Sequence, residues 1–310
     1  KGKHKFFTRK NKDDLHIARE LLKKSIEIDN NLISAELALG YTYFDQFRHD
    51  EAFEIFSRSL KKSQLIGDKR YIANSLKAVG EIYWGRVNIE KSMQYYNEAL
   101  TIFDEINDKN GLGHTYRDIG NLTAMKGELD NAIIYYGNSQ DAFIELGDDI
   151  ESERTLNNIG NVSIGMGDYT KAKTSLEASL MLNTLHDNKN GLWRNYTNLA
   201  SLYRDLEDYE NALKYINLAR NIEISLDFAP TTLARSLYFI GETYYKMNLF
   251  DDALDYYNQS EKLLDQIKEN NAEHWMTGED HSLNLLISKV ICEIQLNKTD
   301  ISEKIILINN

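Results

Sequence analysis

Three arginines, Arg154, Arg194 and Arg235, recur at nearly the same interval along the chain. A guanidinium group presents its N–H donors in a planar fork that matches the two oxygens of a carboxylate. Asn157 and Asn161 lie close to the first arginine, and side-chain amides can bond the backbone of an extended peptide. This spacing therefore indicates recognition of a carboxylate-bearing chain rather than the making or breaking of bonds.

The residues that usually carry out catalysis or hold metals form no known motif in this sequence. There is no P-loop, GxSxG or HExxH motif, and no two of the seven histidines lie four residues apart. His274 and His281, with Glu279 and Asp280, could hold a metal, but a solvated loop is the simpler interpretation. Cys292 is expected to be a buried small hydrophobic residue. We therefore expect no catalytic residue, no metal and no cofactor.

The composition limits which classes of partner and which cellular compartment are compatible with this protein. The net charge of −12 disfavours nucleic acid and anionic membranes as partners of the whole surface. The single cysteine allows no internal disulfide, and no apolar run is long enough to span a membrane. A cytoplasmic location follows as the expectation. Because the chain begins at Lys1 rather than methionine, we expect it to be part of a longer or processed protein, in which a catalytic domain could come first.

The sequence repeats with a period of forty residues. A small residue that follows an apolar residue recurs at Gly40, Gly80, Gly120, Gly160, Ala200 and Gly241. A second small residue recurs at Ala52, Ser92, Ala132, Ala172, Ala212 and Ala253. Glycine costs about 1 kcal/mol in a helix interior relative to alanine, so its recurrence predicts close approach of a neighbouring helix. Such a period is typical of a solenoid.

Each repeat is predicted to contain two amphipathic helices. Breakers and caps mark the turns, as in Gly127-Glu128 and Gly167-Asp168, and Pro230 is placed where it can begin a helix. We expect one solenoid domain over 1–310, made of an irregular first repeat at 1–32, six repeats at 33–271 and a C-terminal cap at 272–310. The first repeat would carry Phe6 and Phe7 on a short helix. The cap would pair the helices LNLLISKVICEIQL and ISEKIILI.

The repeated positions resemble the tetratricopeptide repeat family over roughly residues 5–270. One copy reads Leu76, Val79, Gly80, Tyr83, Ser92, Tyr96 and Ala99, and another reads Leu237, Ile240, Gly241, Tyr244, Ala253, Tyr257 and Ser260. The usual proline near the repeat end is missing, and the period is longer than the family's 34 residues. The resemblance implies an all-α, right-handed superhelix of about seven helix pairs with a C-terminal capping helix. The first helix of each pair would line its concave surface.

Two further likenesses concern the kind of repeat protein. The forty-residue period and the tract Asn158-Ile159-Gly160-Asn161 are similar to the spindle-orientation adaptors and the bacterial peptide-sensing regulators. The opening stretch from Gly2 to Phe44 is similar to the repeats that follow the catalytic domain in bacterial class III nucleotide cyclases. The second likeness implies a regulatory role within a larger enzyme.

The family register predicts which side chains line the concave surface, called here the inner face. Its positions lie six and three residues before the small residue, and one, four and five residues after it. Among these thirty positions seven are basic and four acidic, a net charge of +3. The predicted peptide-binding residues are Lys77, Trp84, His114, Arg117, Asn121, Arg154, Asn157, Asn161, Arg194, Arg204, Arg235, Tyr238 and Tyr245.

The alternatives for these residues are structural. The arginines could pair with neighbouring acids, as Arg204 could near Asp205, and the aromatic residues Trp84, Tyr238 and Tyr245 could pack between helices instead of anchoring a ligand. The leading hypothesis is a non-catalytic scaffold that binds an extended, acidic protein or peptide segment. The alternative is a regulatory or sensory module of a signalling enzyme such as a nucleotide cyclase. Self-association through the terminal repeats is a third possibility.

Overall fold

The computed structural model describes residues 12–270 and 279–296, and within the described helices it gives the side chains of 15–266 and 284–296. The described residues form fourteen α-helices and no strand. Their bounds are α1 Lys12–Ile28, α2 Ile33–Phe44, α3 His49–Ile66, α4 Lys69–Gly85, α5 Ile89–Glu105, α6 Lys109–Met125, α7 Leu129–Leu146, α8 Asp149–Met166, α9 Tyr169–Leu185, α10 Lys189–Asp205, α11 Tyr209–Ser225, α12 Pro230–Lys246, α13 Phe250–Asn270 and α14 Glu279–Gln295. The all-α class predicted from the repeat is confirmed.

The chain divides into two units, which meet in sequence at Met166 and Gly167. In unit 1, α1 to α8 follow one another through short turns, and each helix packs on the next. In unit 2, α9 to α13 do the same, and α14 packs against both α12 and α13. Helix pairs joined in this way are the repeating element of a solenoid. The expectation of one domain over 1–310 stays a prediction.

Four of the recurrent glycines, Gly40, Gly80, Gly120 and Gly241, lie where an aromatic ring of the following helix covers the first helix. A Cβ atom placed on Gly80 would lie 2.7 Å from the ring of Tyr96, and one on Gly120 would lie 2.7 Å from the ring of Tyr136. The second small residue of every repeat is fully buried at Ala52, Ser92, Ala132, Ala172, Ala212 and Ala253. The close approach predicted from the glycines therefore holds at these positions.

The turns contain the glycines, helix cap and helix-starting proline that the sequence predicted. Gly127 and Gly167 adopt positive φ angles of 79° and 75°, which a residue without Cβ adopts at little cost. The carboxylate of Asp168 accepts a hydrogen bond from the Lys171 amide and so caps α9. Pro230 stands in the first turn of α12, where its missing N–H costs no helical hydrogen bond.

The two ends of the chain are described in part. Helix α1 falls within the irregular first repeat expected at 1–32, and α14 confirms the helix predicted from LNLLISKVICEIQL. Phe6 and Phe7, the segment ISEKIILI and His274 lie outside the described residues, as do the side chains of Glu279, Asp280 and His281.

Candidate functional site

The positions assigned to the inner face of unit 1 lie on the first helices of successive repeats. Helix α4 packs directly against α2 on one side and α6 on the other, and α8 follows in the next repeat. The predicted residues of this unit accordingly fall on three helices. Lys77 and Trp84 lie on α4, His114, Arg117 and Asn121 on α6, and Arg154, Asn157 and Asn161 on α8.

An ionic cluster joins α4 to α6, and we call it the Lys77 cluster. It consists of Lys77, Glu81 and Asp118. The ammonium of Lys77 forms an ion pair with Glu81 and lies 3.0 Å from Oδ2 of Asp118. All three side chains are no more than 15% exposed. One cation therefore serves two carboxylates in a site largely withdrawn from water.

Burial and charge act in opposite directions on the groups of the Lys77 cluster. Burial alone would lower the pKa of Lys77, but the carboxylates of Asp118 and Glu81 together raise it well above its usual range. The pKa of Glu81 is raised by burial and by the nearby charge of Asp118, against the opposing effect of Lys77. Lys77 is therefore firmly cationic, and its charge is used within the protein.

A second ionic cluster joins α6 to α8, and we call it the Glu151 cluster. It consists of Glu151, Arg117 and Arg154. Nη1 of Arg117 lies 2.5 Å from Oε2 of Glu151, and Nη1 of Arg154 lies 2.6 Å from Oε1. These arginines hold the pKa of Glu151 below its usual range although burial opposes them. Arg117 is 13% exposed and Arg154 is 32% exposed, so Arg154 presents the more accessible guanidinium.

His114 stands beside Arg117 on α6. Its Nδ1 lies 3.0 Å from Nη2 of Arg117, and its ring meets Phe143 edge-on at 5.1 Å. Burial and the charge of Arg117 lower the pKa of His114 to about 4. At neutral pH the imidazole is therefore uncharged, and Nδ1 accepts a hydrogen bond from the guanidinium.

The predicted asparagines of unit 1 differ in their existing hydrogen bonds and in their exposure to solvent. Oδ1 of Asn121 accepts a hydrogen bond from Tyr136 Oη at 2.7 Å and another from Asn158 Nδ2 at 3.1 Å. Asn157 is buried, whereas Asn161 is exposed on α8. Asn121 thus helps to hold consecutive helices together, while the side chain of Asn161 is accessible to solvent.

Trp84 has both packing contacts and exposed surface. Its ring packs against the buried residues Tyr96, Ile119 and Leu122. Its Nε1 lies 3.3 Å from the sulfur of Met125, a side chain that is 55% exposed. The Trp84 indole is therefore held in place by the core at an edge that reaches solvent.

In unit 2 the predicted residues lie on α10 and α12. The guanidinium of Arg204 lies 4.3 Å from the centre of the Phe239 ring, and its Nε is 3.9 Å from Asp205. Tyr238 Oη lies 3.2 Å from Ser288 Oγ of α14, and the ring of Tyr245 packs on Phe250. These contacts fit the structural alternative for the three side chains. Arg194 is half-buried on α10, and Arg235 is exposed on α12.

Two acidic residues of the inner face were missed by the sequence reasoning. Asp118 and Glu151 stand outside the five positions taken from the family register, yet they pair with Lys77, Arg117 and Arg154. Including the negative charges of Asp118 and Glu151 lowers the net charge of +3 that was predicted for the inner face. The sequence did hold a signal for them, since Asp118 adjoins Arg117 and Glu151 lies one helical turn before Arg154.

The described residues hold no cluster of three potential metal ligands. Among these same residues, no helix is both long and apolar enough to cross a membrane.

Comparison with sequence families identifies the class of protein. Two tetratricopeptide repeat models match, one over residues 31–105 and 194–266 and the other over 153–184. These matches cover more than half of the chain, and the chain belongs to the tetratricopeptide repeat family. Helix α6, with its ionic groups, falls in the interval that neither model matches. Among curated proteins, none is significantly similar in sequence.

Solved structures share the fold at low sequence identity. BtubC from P. vanneervenii is 18% identical with a TM-score of 0.63, over 71% of this chain and 92% of that one. A signal transduction ATPase with a tetratricopeptide repeat sensor, from Pyrococcus horikoshii, is 15% identical with a TM-score of 0.72, over 92% of this chain and 41% of that one. The apo form of RapI is 14% identical with a TM-score of 0.62, over 73% of this chain and 81% of that one.

These likenesses concern the fold, because all of the identities lie below 20%. Family membership gives the coarse function, which is that of a protein-interaction or regulatory module. The identity of the ligand has to be argued from the inner-face side chains themselves.

Proposed function

We propose that the chain is a non-catalytic scaffold that binds an extended, acidic peptide segment along the inner face of its repeats. The observation that supports this most is the Glu151 cluster, in which two guanidinium groups share one carboxylate. One positive charge remains unmatched there, on a protein whose net charge is −12. A carboxylate of the ligand would meet the accessible guanidinium of Arg154.

The neighbouring side chains suit the backbone and apolar parts of such a segment. Asn161 is exposed two turns of α8 after Arg154 and can both donate and accept hydrogen bonds. Trp84 and Met125 offer a partly exposed apolar edge within the same unit. An aromatic residue fixed by the core is a suitable anchor, because little side-chain entropy is lost when a ligand packs on it.

In unit 2, Arg194 and Arg235 stay part of the proposal. Arg235 is exposed on α12 and can meet an acidic group of a segment bound to unit 2. Arg204 is a weaker candidate because its guanidinium already lies over Phe239. Tyr238 and Tyr245 contribute mainly to packing between helices, and we assign them no direct role in affinity.

The proposal is tested with three fluorescein-labelled dodecapeptides built from serine with glutamate, glutamine or lysine. Fluorescence polarisation should show saturable binding of the glutamate peptide only, and added salt should weaken that binding. The net charge of the protein favours the lysine peptide in non-specific association, so preference for glutamate requires a local basic site. Equal binding of all three peptides, or preference for lysine, would contradict the proposal.

The non-catalytic part of the proposal is tested separately. Purified protein should turn over no nucleoside triphosphate, phosphate ester or peptide substrate. Activity that persists through a second purification would overturn this part and leave peptide binding to be judged by its own test.

A regulatory module of a larger signalling enzyme is the second candidate function. It is supported by the likeness of this fold to an ATPase whose repeats are described as a sensor, although this chain spans only 41% of that protein. Ligand binding at the same inner face would then control a catalytic domain elsewhere in the polypeptide. Comparing the activity of the full-length protein with and without an inner-face ligand separates the two roles. A cytoplasmic location suits both.

A further inference from the structure

The two ionic clusters of unit 1 lie next to each other and carry opposite excess charge. The Lys77 cluster has one cation and two carboxylates, whereas the Glu151 cluster has one carboxylate and two guanidiniums. Both include a residue of α6, since Asp118 belongs to the first and Arg117 to the second. The inner face is therefore polarised, with negative excess on the α4 side of α6 and positive excess on the α8 side.

Most charged groups of the two clusters are poorly solvated, and Arg154 is the more accessible one at 32% exposure. The three side chains of the Lys77 cluster and Arg117 are each no more than 15% exposed. An unmatched charge held away from water carries an energetic cost, and a ligand group of opposite sign reduces that cost. His114 lies beside Arg117 and is neutral, so it cancels neither excess.

We propose that the ligand of this face carries two opposite charges, a basic side chain for the Lys77 cluster and an acidic side chain for the Glu151 cluster. This inference rests on the proposed function and narrows it. A purely acidic segment satisfies the arginines but places repulsive charge over Glu81 and Asp118. Complementary placement of both signs also fixes the register of the ligand on the protein.

The distance between the clusters sets the spacing of the two ligand side chains. One cluster lies between α4 and α6 and the other between α6 and α8, so they are about one helix spacing apart, about 8–10 Å. In a polyproline II conformation each residue advances about 3.1 Å, and every third side chain points in the same direction. A basic and an acidic residue three positions apart therefore span about 9 Å on one side of the ligand.

The test uses labelled dodecapeptides in a proline-serine background, which favours the polyproline II conformation. One pair of peptides carries lysine and glutamate three positions apart, in either order, because the direction of the bound chain is open. A second pair places the same two residues nine positions apart. A final peptide carries two glutamates three positions apart. Fluorescence polarisation gives the Kd of each.

Of the two peptides with lysine and glutamate three positions apart, one should bind at least about tenfold more tightly than the peptides with the nine-position spacing. It should also bind at least about tenfold more tightly than the two-glutamate peptide. Equal or tighter binding of the two-glutamate peptide would overturn the inference and leave the proposed function intact. Equal Kd values at the two lysine-glutamate spacings would also overturn the inference. Failure of every peptide to bind would remove the proposed function as well.

A change of charge in the protein gives a second readout. Arg154→Glu should remove the preference for the lysine-glutamate peptide and favour a two-lysine peptide, whereas Arg154→Gln should only weaken the original binding. Lys61→Glu on the exposed side of α3 is the matched control and should preserve the original order of affinities. An unchanged preference in Arg154→Glu, with the fold verified by circular dichroism, would contradict the assignment.

Discussion

Arg117 on α6 and Glu151 on α8 form an ion pair, with 2.5 Å between Nη1 and Oε2, across consecutive repeats of unit 1. The same carboxylate also receives Arg154 from its own helix. A side chain expected to meet a ligand therefore also fixes the spacing of two inner-face helices. The proposed recognition and the stability of the fold therefore involve the same residue pair, and the two effects have to be measured separately.

Glu151→Gln should lower the free energy of unfolding by about 1–3 kcal/mol, since it leaves two partly buried guanidiniums with a neutral partner. Urea unfolding followed by circular dichroism measures the change. Glu54→Gln, at an exposed position on α3, makes the same chemical change outside the cluster and should cost less than about 0.5 kcal/mol. Equal stability of the two variants would mean that the ion pair contributes little to the fold.

The close approach at Gly120 can be tested with one added methyl group. Gly120→Ala should destabilise the protein by about 1–3 kcal/mol, because the new Cβ would lie 2.7 Å from the Tyr136 ring. Gly137 on α7 is the matched control, since a Cβ there meets no atom within 4 Å. Gly137→Ala should instead stabilise the protein by up to about 1 kcal/mol. Thermal melts in which both variants change the melting temperature in the same direction would contradict this packing.

Stability should fall on acidification because of His114. Its folded pKa is about 4, below the usual value near 6.5, so the unfolded chain takes up the proton first as the pH falls. The loss begins below about pH 6.5 and should reach about 1–2 kcal/mol by pH 5. Glu151, whose pKa is also lowered, adds a further loss in more acidic solution.

The variant His114→Gln should reduce the slope of stability against pH between 6.5 and 5. His16→Gln, on the exposed side of α1, should retain the slope of the original protein. Urea midpoints at closely spaced pH values measure both. A slope in His114→Gln that matches the original would mean that another group titrates in this range.

The sequence predicted the fold well because each local rule agreed with the repeat. Gly120 marked the close approach of a helix, Asp168 marked the start of one and Pro230 marked the start of another, and all three hold in the structure. These features depend on a few neighbouring residues or on an exact period. A repeat supplies both, so the helices and their pairing could be read directly.

The candidate site was harder to predict because it depends on pairs distant in sequence. Lys77 and Asp118, and likewise Arg117 and Glu151, meet only when consecutive repeats stack. A register that selects five positions per helix treats each basic residue as available to a ligand. The structure shows that Lys77, Arg117 and Arg154 are already paired with carboxylates, and that the remaining excess charge differs between adjacent clusters.

Binding at the inner face is tested most directly by the affinity of the glutamate dodecapeptide for the original protein, Arg154→Glu and Lys61→Glu at matched salt. Arg154→Glu should weaken binding by at least about 2 kcal/mol, which is roughly thirtyfold in Kd, because an attractive group becomes repulsive. Lys61→Glu should change the affinity less than twofold. An Arg154→Glu variant that is folded and binds as tightly as the original, with Lys61→Glu impaired, would contradict the inner face as the binding site.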